Sequence, residues 1–203
     1  MASLLQTPSN WHRNNRGDLY RFSMDLRSMT RLSQAGWRIA ACSSEETVNG
    51  AEASEYSPAS AVIDGRGIAT GWHSRWTSQA ASYPHFIVID LGTDQEVHKF
   101  SFQHWLSEER QPHRAIKEMD LFMSLDGDNF DLIDSYELEY TGTPQFFDFP
   151  EKKSFRYLKI VGNSSWDGEQ FACFAEVGLY RNKSGRAKGP GKSAPIPPPS
   201  FPN

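Results

Sequence analysis

The feature that most constrains this chain is a series of short apolar segments separated by turn-forming residues. Residues 86–91 form a compact apolar run that Gly92 closes. From residue 119 to 125 every second side chain is apolar, which is the period of a strand with one buried face. Residues 126–129 then have the composition of a hairpin turn. Further strand-like segments are residues 130–133, 155–161 and 174–180. Because no stretch here has a long period of 3.6 residues, the pattern predicts an all-β fold, a sandwich.

The two ends of the chain differ from this central pattern. Residues 1–35 fit it poorly, although residues 19–26 alternate, and they are interpreted as an N-terminal extension or the end of a preceding module. Residues 36–180 are interpreted as one domain. Residues 181–203 hold six of the 12 prolines and five basic but no acidic side chains. Such a composition cannot bury apolar surface, so it predicts a disordered or extended basic tail.

Composition excludes several classes of protein. A chain of 203 residues has room for one domain with flanking segments. Its apolar runs are far shorter than the roughly 20 residues of a membrane helix, so no membrane insertion is expected. The net charge of −4 gives no general attraction to nucleic acid. Two cysteines are too few for a disulfide-dense scaffold or a four-cysteine zinc site.

Several motifs occur in an order that points to a known family. They are an opening strand with a Ser-x-Glu turn in residues 37–46, an Asp-Gly loop in 61–65, a Trp-His-Ser motif in 70–76, a strand ending in Asp-Leu-Gly in 84–92, the hairpin in 124–130, and strands in 155–160 and 174–177. Together they resemble the discoidin domain, also called the coagulation factor 5/8 type C domain, over residues 37–180. The chain is most similar to the bacterial family-32-like carbohydrate-binding modules, as attached to chitobiase-like glycosidases and surface lipoproteins. The resemblance implies a discoidin-type (galactose-binding-like) jelly-roll β-sandwich.

The same resemblance implies a function. Such a module is non-catalytic and targets an attached glycosidase or surface glycan-utilisation protein to galactose, N-acetylgalactosamine or related glycans. It is expected to be monomeric and extracellular or on the bacterial surface, exported within a larger protein whose signal peptide lies outside this chain. The adjacent carboxylates Glu45 and Glu46, like Glu108 and Glu109, would point to opposite faces of a strand and cannot act as a catalytic pair.

Two other functions remain open. One is a structural or protein-interaction β-sandwich without sugar binding. The other is a phospholipid-binding discoidin domain, which needs apolar spikes ringed by basic side chains. The acidic balance of the chain before residue 181 argues against the phospholipid-binding alternative.

Sugar-binding surfaces combine aromatic faces, which stack on sugar rings, with polar groups that bind hydroxyls. Three loops, residues 71–78, 104–114 and 163–171, carry both kinds of side chain, among them Arg114 and Phe171. The position of Trp72 in its motif instead predicts a core residue. The candidate carbohydrate-binding residues are His73, Arg75, Trp76, His104, Trp105, Arg110, His113, Asn163 and Trp166.

The resemblance also implies one structural Ca²⁺ where the Asp-Gly loop meets the last strand. Calcium prefers about six to eight oxygen ligands. The candidate ligands are Ala61, Asp64, Thr70, Ala175 and Glu176. This chain has Arg66 where the family usually has a second acidic or amide side chain, which should weaken the site. In the alternative reading, Asp64 caps its loop and Glu176 pairs with Arg66 or Arg75.

Cys42 and Cys173 lie in the first and last strands of the matched region, which are neighbours in this fold. A disulfide and two small buried thiols are both open, with the thiols favoured.

Overall fold

The computed structural model describes residues 26–46, 57–77, 80–106 and 114–183, together with the backbone of residues 11–13 and 19–21. Within this part, helix is limited to two short 3-10 segments, Ala59–Ile63 and Gly67–Ala69. All the strand pairings are antiparallel, apart from one isolated bridge between Ala115 and Cys173. The prediction of an all-β fold is confirmed. No described helix has the length and hydropathy needed to cross a membrane.

Eleven strands are described. They are β1 (Trp11–Arg13), β2 (Leu19–Arg21), β3 (Met29–Arg31), β4 (Arg38–Cys42), β5 (Trp72–His73), β6 (His85–Gln103), β7 (Ile116–Ser124), β8 (Asp131–Glu137), β9 (Gln145–Ser165), β10 (Cys173–Phe174) and β11 (Glu176–Asn182). The main sheet has the order β3-β11-β6-β9-β7-β8, with β4 also paired to β6. The pairs β1–β2 and β5–β10 form two smaller sheets.

The two longest strands, β6 and β9, build the sandwich because each contributes to both layers. Residues 85–90 of β6 pair with β4 and with residues 157–162 of β9. Residues 95–103 of β6 pair instead with β11 and the first half of β9. The β6–β9 register shifts between Asp90 and Gln95. Gly92 lies in this bend with a φ of 83°, a conformation that favours glycine.

The core lies between the layers and is rich in aromatic and branched side chains. Its fully buried members include Trp72, Ile87, Val97, Phe100, Phe102, Leu121, Phe155, Leu158 and Phe174. Trp72, only 1% exposed, is a core residue as its motif predicted. Burial of so many large apolar groups is the main source of stability in a sandwich of this size.

The predicted hairpin joins β7 to β8. The carboxylate of Asp126 accepts hydrogen bonds from the amides of Asp128 and Asn129, at 2.9 and 2.8 Å. These bonds lower the pKa of Asp126, and the bond from the Asn129 amide has the largest effect. The hairpin lies at the far end of β7 from Ile116, which is next to the site described below.

The sandwich includes residues that precede position 36. β3 pairs with β11, and Leu32 is buried in the core. The last residues of the segment 1–35, interpreted from sequence as an extension, are therefore part of the sandwich. At the other end, β11 continues to Asn182, two residues into the predicted tail. Residues 184–203 lie outside the described part.

Candidate functional site

His73 lies at the end of β5, where it joins neighbouring segments. Its backbone bonds to the backbones of Glu46 and Ser57, and its imidazole is buried. Nδ1 contacts the carbonyl oxygen of Ser74, and Nε2 lies 3.2 Å from Nη1 of Arg114. Because a guanidinium can only donate, Nε2 accepts and Nδ1 carries the proton. The imidazole therefore holds the guanidinium in one orientation.

Arg114 adopts an unusual backbone conformation, with a φ of 77°. Its amide donates to Oδ2 of Asp167 at 2.7 Å, and its carbonyl accepts from the amide of Cys173 at 3.0 Å. Its Nε is buried and has no hydrogen-bond partner among the described residues. Backbone strain of about 1–3 kcal/mol and an unsatisfied donor both occur preferentially at functional sites.

Two aromatic rings flank this pair. The ring of Trp76 lies 4.3 Å from that of His73, edge to face, and the ring of Phe171 lies 6.1 Å from it. The guanidinium carbon of Arg114 lies 5.1 Å from the centre of the Phe171 ring, a cation–π contact. Trp76 and Phe171 are both half-buried. We call His73, Trp76, Arg114 and Phe171 the Arg114 cluster.

Glu46 fixes the loop that carries Trp76. Its Oε2 accepts from the amides of Trp76 and Thr77, at 2.8 and 3.1 Å, and its Oε1 accepts from the Thr77 hydroxyl at 2.9 Å. Burial alone would raise the pKa of Glu46, but these hydrogen bonds hold it below its usual range. The carboxylate is thus ionised, and both of its oxygens accept hydrogen bonds from backbone or hydroxyl donors.

The electrostatics of the cluster favour a neutral imidazole. Burial lowers the pKa of His73 to about 4, and the positive charge of Arg114 contributes to the lowering. At neutral pH the cluster therefore presents one fixed cation beside two aromatic rings. Such a set can donate hydrogen bonds to hydroxyls and stack on an apolar ring face.

A second aromatic surface adjoins the cluster through Asp167. Trp166 and Tyr140 are 40% and 44% exposed, and their rings lie 6.1 Å apart. The indole Nε1 of Trp166 donates to the carbonyl of Leu138 at 3.1 Å, and Nζ of Lys117 lies 5.0 Å from the ring centre. We call Tyr140 and Trp166 the Trp166 surface.

Two of the predicted ligand residues, His104 and Trp105, are buried. His104 is fully buried, and its nitrogens lie 3.1 and 2.9 Å from the carbonyl oxygens of Thr141 and Ile116. Trp105 is 9% exposed, and its indole donates to the carbonyl of Ile68 at 3.1 Å. Both side chains lie in the interior, where the Trp105 indole and one nitrogen of the neutral His104 ring donate to backbone carbonyl oxygens, so neither offers a face to a ligand.

The remaining predicted residues are dispersed. Arg75 is half-buried next to Trp76, and its amide donates to the Ser44 hydroxyl. Asn163 is exposed on β9, where its amide donates to Asp120 at 2.8 Å. Arg110 and His113 lie outside the described residues.

Comparison with known proteins identifies the family. The sequence profile of the F5/8 type C domain matches residues 39–177. The chain belongs to the F5/8 type C domain family. The resemblance found in the motifs is thereby confirmed.

Solved structures share the fold of this F5/8 type C domain. The family 32 carbohydrate-binding module of NanJ from C. perfringens, in complex with galactose, is 22% identical with a TM-score of 0.63; the match covers 75% of this chain and 99% of that one. CpGH89CBM32-5 from Clostridium perfringens, in complex with GalNAc-β-1,3-galactose, is 25% identical with a TM-score of 0.62, over 74% of this chain and 99% of that one. The prediction of a discoidin-type sandwich is confirmed.

A curated relative is a much longer protein. A sialidase of Micromonospora viridifaciens is 32% identical over 148 residues, which are 72% of this chain but 21% of the sialidase. The F5/8 type C domain thus corresponds to about a fifth of that enzyme.

F5/8 type C domains often bind calcium, and the predicted ligands can be tested against the contacts they make. Asp64 accepts from the Arg66 amide at 2.8 Å and from the Thr70 hydroxyl at 2.7 Å, so it caps its own loop. The Ala61 carbonyl accepts from the Asp64 amide at 3.4 Å, and the Ala175 amide donates to the Gln103 carbonyl at 2.8 Å. Among the described residues, no three His, Cys, Asp or Glu side chains group as metal ligands.

The contacts of Glu176 decide whether these residues can hold Ca²⁺. Its Oε1 accepts from Nη2 of Arg31 at 3.0 Å and from Nε2 of Gln34 at 2.7 Å, and its Oε2 accepts from the Gly67 amide at 3.3 Å. Both oxygens of Glu176 thus accept from protein donors, and one of these donors is the positive Arg31 guanidinium, which would repel a second cation, so this donor set does not fit Ca²⁺. The alternative interpretation paired Glu176 with Arg66 or Arg75, whereas the salt bridge in the structure is with Arg31.

The two cysteines carry thiols and share no disulfide. Cys173 is buried and Cys42 is half-buried, and burial raises the pKa of the Cys42 thiol. Of the two thiols expected to be buried, only that of Cys173 is fully so.

Arg114 and Phe171 lie in two of the three candidate loops and Glu46 lies in the opening-strand motif, but none of the three was among the predicted binding residues. No local sequence pattern indicates the positive φ of Arg114. The loop that precedes Arg114 has no motif whose spacing would place its side chain next to His73. For Glu46, the Ser-x-Glu turn was the one sequence feature that could have indicated its role.

Proposed function

We propose that this domain is a non-catalytic carbohydrate-binding module that binds galactose- or N-acetylgalactosamine-type glycans at the Arg114 cluster. The observation that carries the proposal is the strained Arg114, whose guanidinium is held by His73 and lies against the ring of Phe171. The relatives solved with galactose and with GalNAc-β-1,3-galactose support the ligand class.

The cluster contains the groups that a galactose ring needs. In galactose the axial O4 leaves one ring face rich in C–H groups, and the rings of Trp76 and Phe171 can stack on that face. The guanidinium of Arg114 can donate two parallel hydrogen bonds to neighbouring hydroxyls. His73 acts as a positioning residue because its neutral Nε2 fixes the guanidinium.

The carboxylates near the cluster support a non-catalytic role. Hydrolysis of a glycosidic bond needs two carboxyl groups that face the scissile bond. Glu46 and Asp167 are instead bonded to backbone amides, Glu46 to that of Trp76 and Asp167 to that of Arg114. Both hold the site together and neither is available for proton transfer.

The role we propose is targeting. Binding to a single sugar at an open surface is weak, but an attached glycosidase held near its polysaccharide experiences a raised effective concentration of substrate. The sialidase relative, in which the matched part is 21% of the protein, supports such an arrangement. We place the module outside the cell or at its surface, where these glycans occur, with the attached enzyme as partner.

The Trp166 surface extends this site toward longer glycans. Trp166 precedes Asp167, which binds the Arg114 backbone, so a second sugar unit leaving the cluster can stack on Trp166 or Tyr140.

The test is isothermal titration of the protein with galactose and with GalNAc-β-1,3-galactose. We expect binding to both and at least a tenfold loss in Arg114→Ala. Lys152→Ala, which removes an exposed lysine paired with Glu96, is the matched control and should bind normally. If the folded wild-type protein binds neither sugar, an interaction module becomes the better interpretation. If Arg114→Ala binds like wild type, the sugar site lies elsewhere.

A further inference from the structure

The side chains of Arg31 and Gln34 both bind to the start of β11, the last strand of the sandwich. Nη2 of Arg31 and Nε2 of Gln34 both donate to Oε1 of Glu176 and also to the carbonyl oxygen of Val177, the latter at 3.2 and 2.9 Å. Four hydrogen bonds from one short segment thus converge on two neighbouring oxygens. Glu176 is buried and the Arg31 side chain is 43% exposed, so the positive charge reaches the carboxylate from the surface.

The other oxygen of Glu176 ties down the Asp-Gly loop. Its Oε2 accepts from the amide of Gly67, whose φ is 55°. Asp64, three residues earlier, accepts from the amide of Arg66 and the hydroxyl of Thr70. The loop is therefore closed on itself by Asp64 and linked to β11 by Glu176, with every contact made by protein donors.

A calcium ion at this position would do two things: neutralise the buried carboxylate of Glu176 and link the loop to β11. Both tasks are already done here. The guanidinium of Arg31 supplies the charge, and the amides of Gln34 and Gly67 supply the remaining bonds. The backbone of this segment is fixed as well, because β3 pairs with β11 and the Leu32 amide donates to Leu179 at 2.8 Å.

We propose that residues 29–34 replace the structural calcium ion, with the Arg31 guanidinium as a built-in cation on Glu176, so that this domain folds independently of calcium. The inference concerns stability and metal binding and does not depend on the sugar site.

The first test is thermal unfolding of the full chain in millimolar CaCl₂ and in EDTA, with calcium binding measured by isothermal titration. We expect the same melting temperature in both media and no calcium binding. A melting temperature that rises by several degrees with calcium, or stoichiometric calcium binding, would overturn the proposal.

The variant Arg31→Ala tests the role of the guanidinium. We expect a lower melting temperature in EDTA and a partial recovery in calcium, because Glu176 then lacks its cation. In a Glu176→Gln background the same substitution should cost much less, since the partner charge is gone. Lys152→Ala is the matched control for an exposed salt bridge and should leave the melting temperature unchanged. Equal losses for Arg31→Ala in both backgrounds would contradict the assigned pairing.

Discussion

Nε2 of His73 accepts a hydrogen bond from Arg114 across 3.2 Å, and this bond exists only while the imidazole is neutral. Burial lowers the pKa of His73 to about 4, so the neutral form prevails at physiological pH. The proposed sugar site is therefore built on a histidine that positions a cation instead of carrying a charge itself.

Sugar binding should depend on pH through this histidine. We expect the affinity for galactose to stay constant from pH 8 down to about pH 5.5 and to fall as the pH approaches 4, where protonated His73 repels Arg114. The measurement is a titration at each pH, with circular dichroism to confirm that the protein remains folded. A midpoint near 6.5, the ordinary histidine pKa, would mean that His73 is not held neutral.

The stability of the fold should fall over a similar range of pH. The pKa values of His73, His85 and His104 are all lowered, mainly by burial. Below pH 6.5 the unfolded chain therefore binds more protons than the native one, and unfolding becomes easier as the pH falls toward 4. Urea unfolding from pH 7.5 to 4.5 measures this loss. His104→Gln should show a shallower pH dependence, whereas an unchanged dependence would show that His104 does not contribute.

Asp90 should be a major contributor to stability. It is 1% exposed and accepts from Nε and Nη2 of Arg156 at 2.8 and 3.0 Å and from Nη2 of Arg38 at 2.6 Å. These bonds lower the pKa of Asp90, and the bonds from Arg156 have the largest effect. We expect Asp90→Ala to cost about 2–3 kcal/mol in the free energy of unfolding, as for other hydrogen bonds to charged groups.

Arg38→Ala is the contrasting variant for Asp90. The Arg38 side chain is 68% exposed, so its loss should cost about 0–1 kcal/mol. Both values come from urea unfolding at pH 7. Equal costs for the two variants would contradict the view that the buried carboxylate, held mainly by Arg156, is the important partner.

Trp166→Ala should separate long from short ligands. Loss of one stacking ring is worth about 1 kcal/mol, or roughly a fivefold loss of affinity. We expect that loss for GalNAc-β-1,3-galactose and no change for galactose, since one sugar ring fills only the Arg114 cluster. Leu125→Ala, in the hairpin at the far end of β7, is the control for an exposed apolar residue. An equal loss for both sugars would place Trp166 in the primary site.

Much of the fold was predictable from local patterns. The burial of one face of β7 gives its sequence a period of two residues, and a hairpin motif follows it. The family motifs also placed Trp72 in the core. The start of the sandwich was not predictable, since β3 is only three residues long and its partner β11 lies about 150 positions further along the chain.

The sugar site was harder to predict because it depends on loop geometry. His73 and Trp76 share one motif and lie in the cluster, but Trp105 has the same composition signal and is buried against Gly71. A β-carbon added to Gly71 would lie 2.5 Å from the Trp105 ring, so glycine at that position makes the burial possible. No pattern in a single sequence reveals such a pairing across 34 positions of the chain.

The central claim is that the Arg114 cluster binds the sugar, and an NMR titration with galactose tests it most directly. We expect the side-chain N–H signals of Trp76 and Arg114 to shift as galactose is added. The indole signal of Trp105, which is buried and bonded to Ile68, should not move and serves as an internal reference. Saturating galactose that leaves the Trp76 and Arg114 signals in place would contradict the claim.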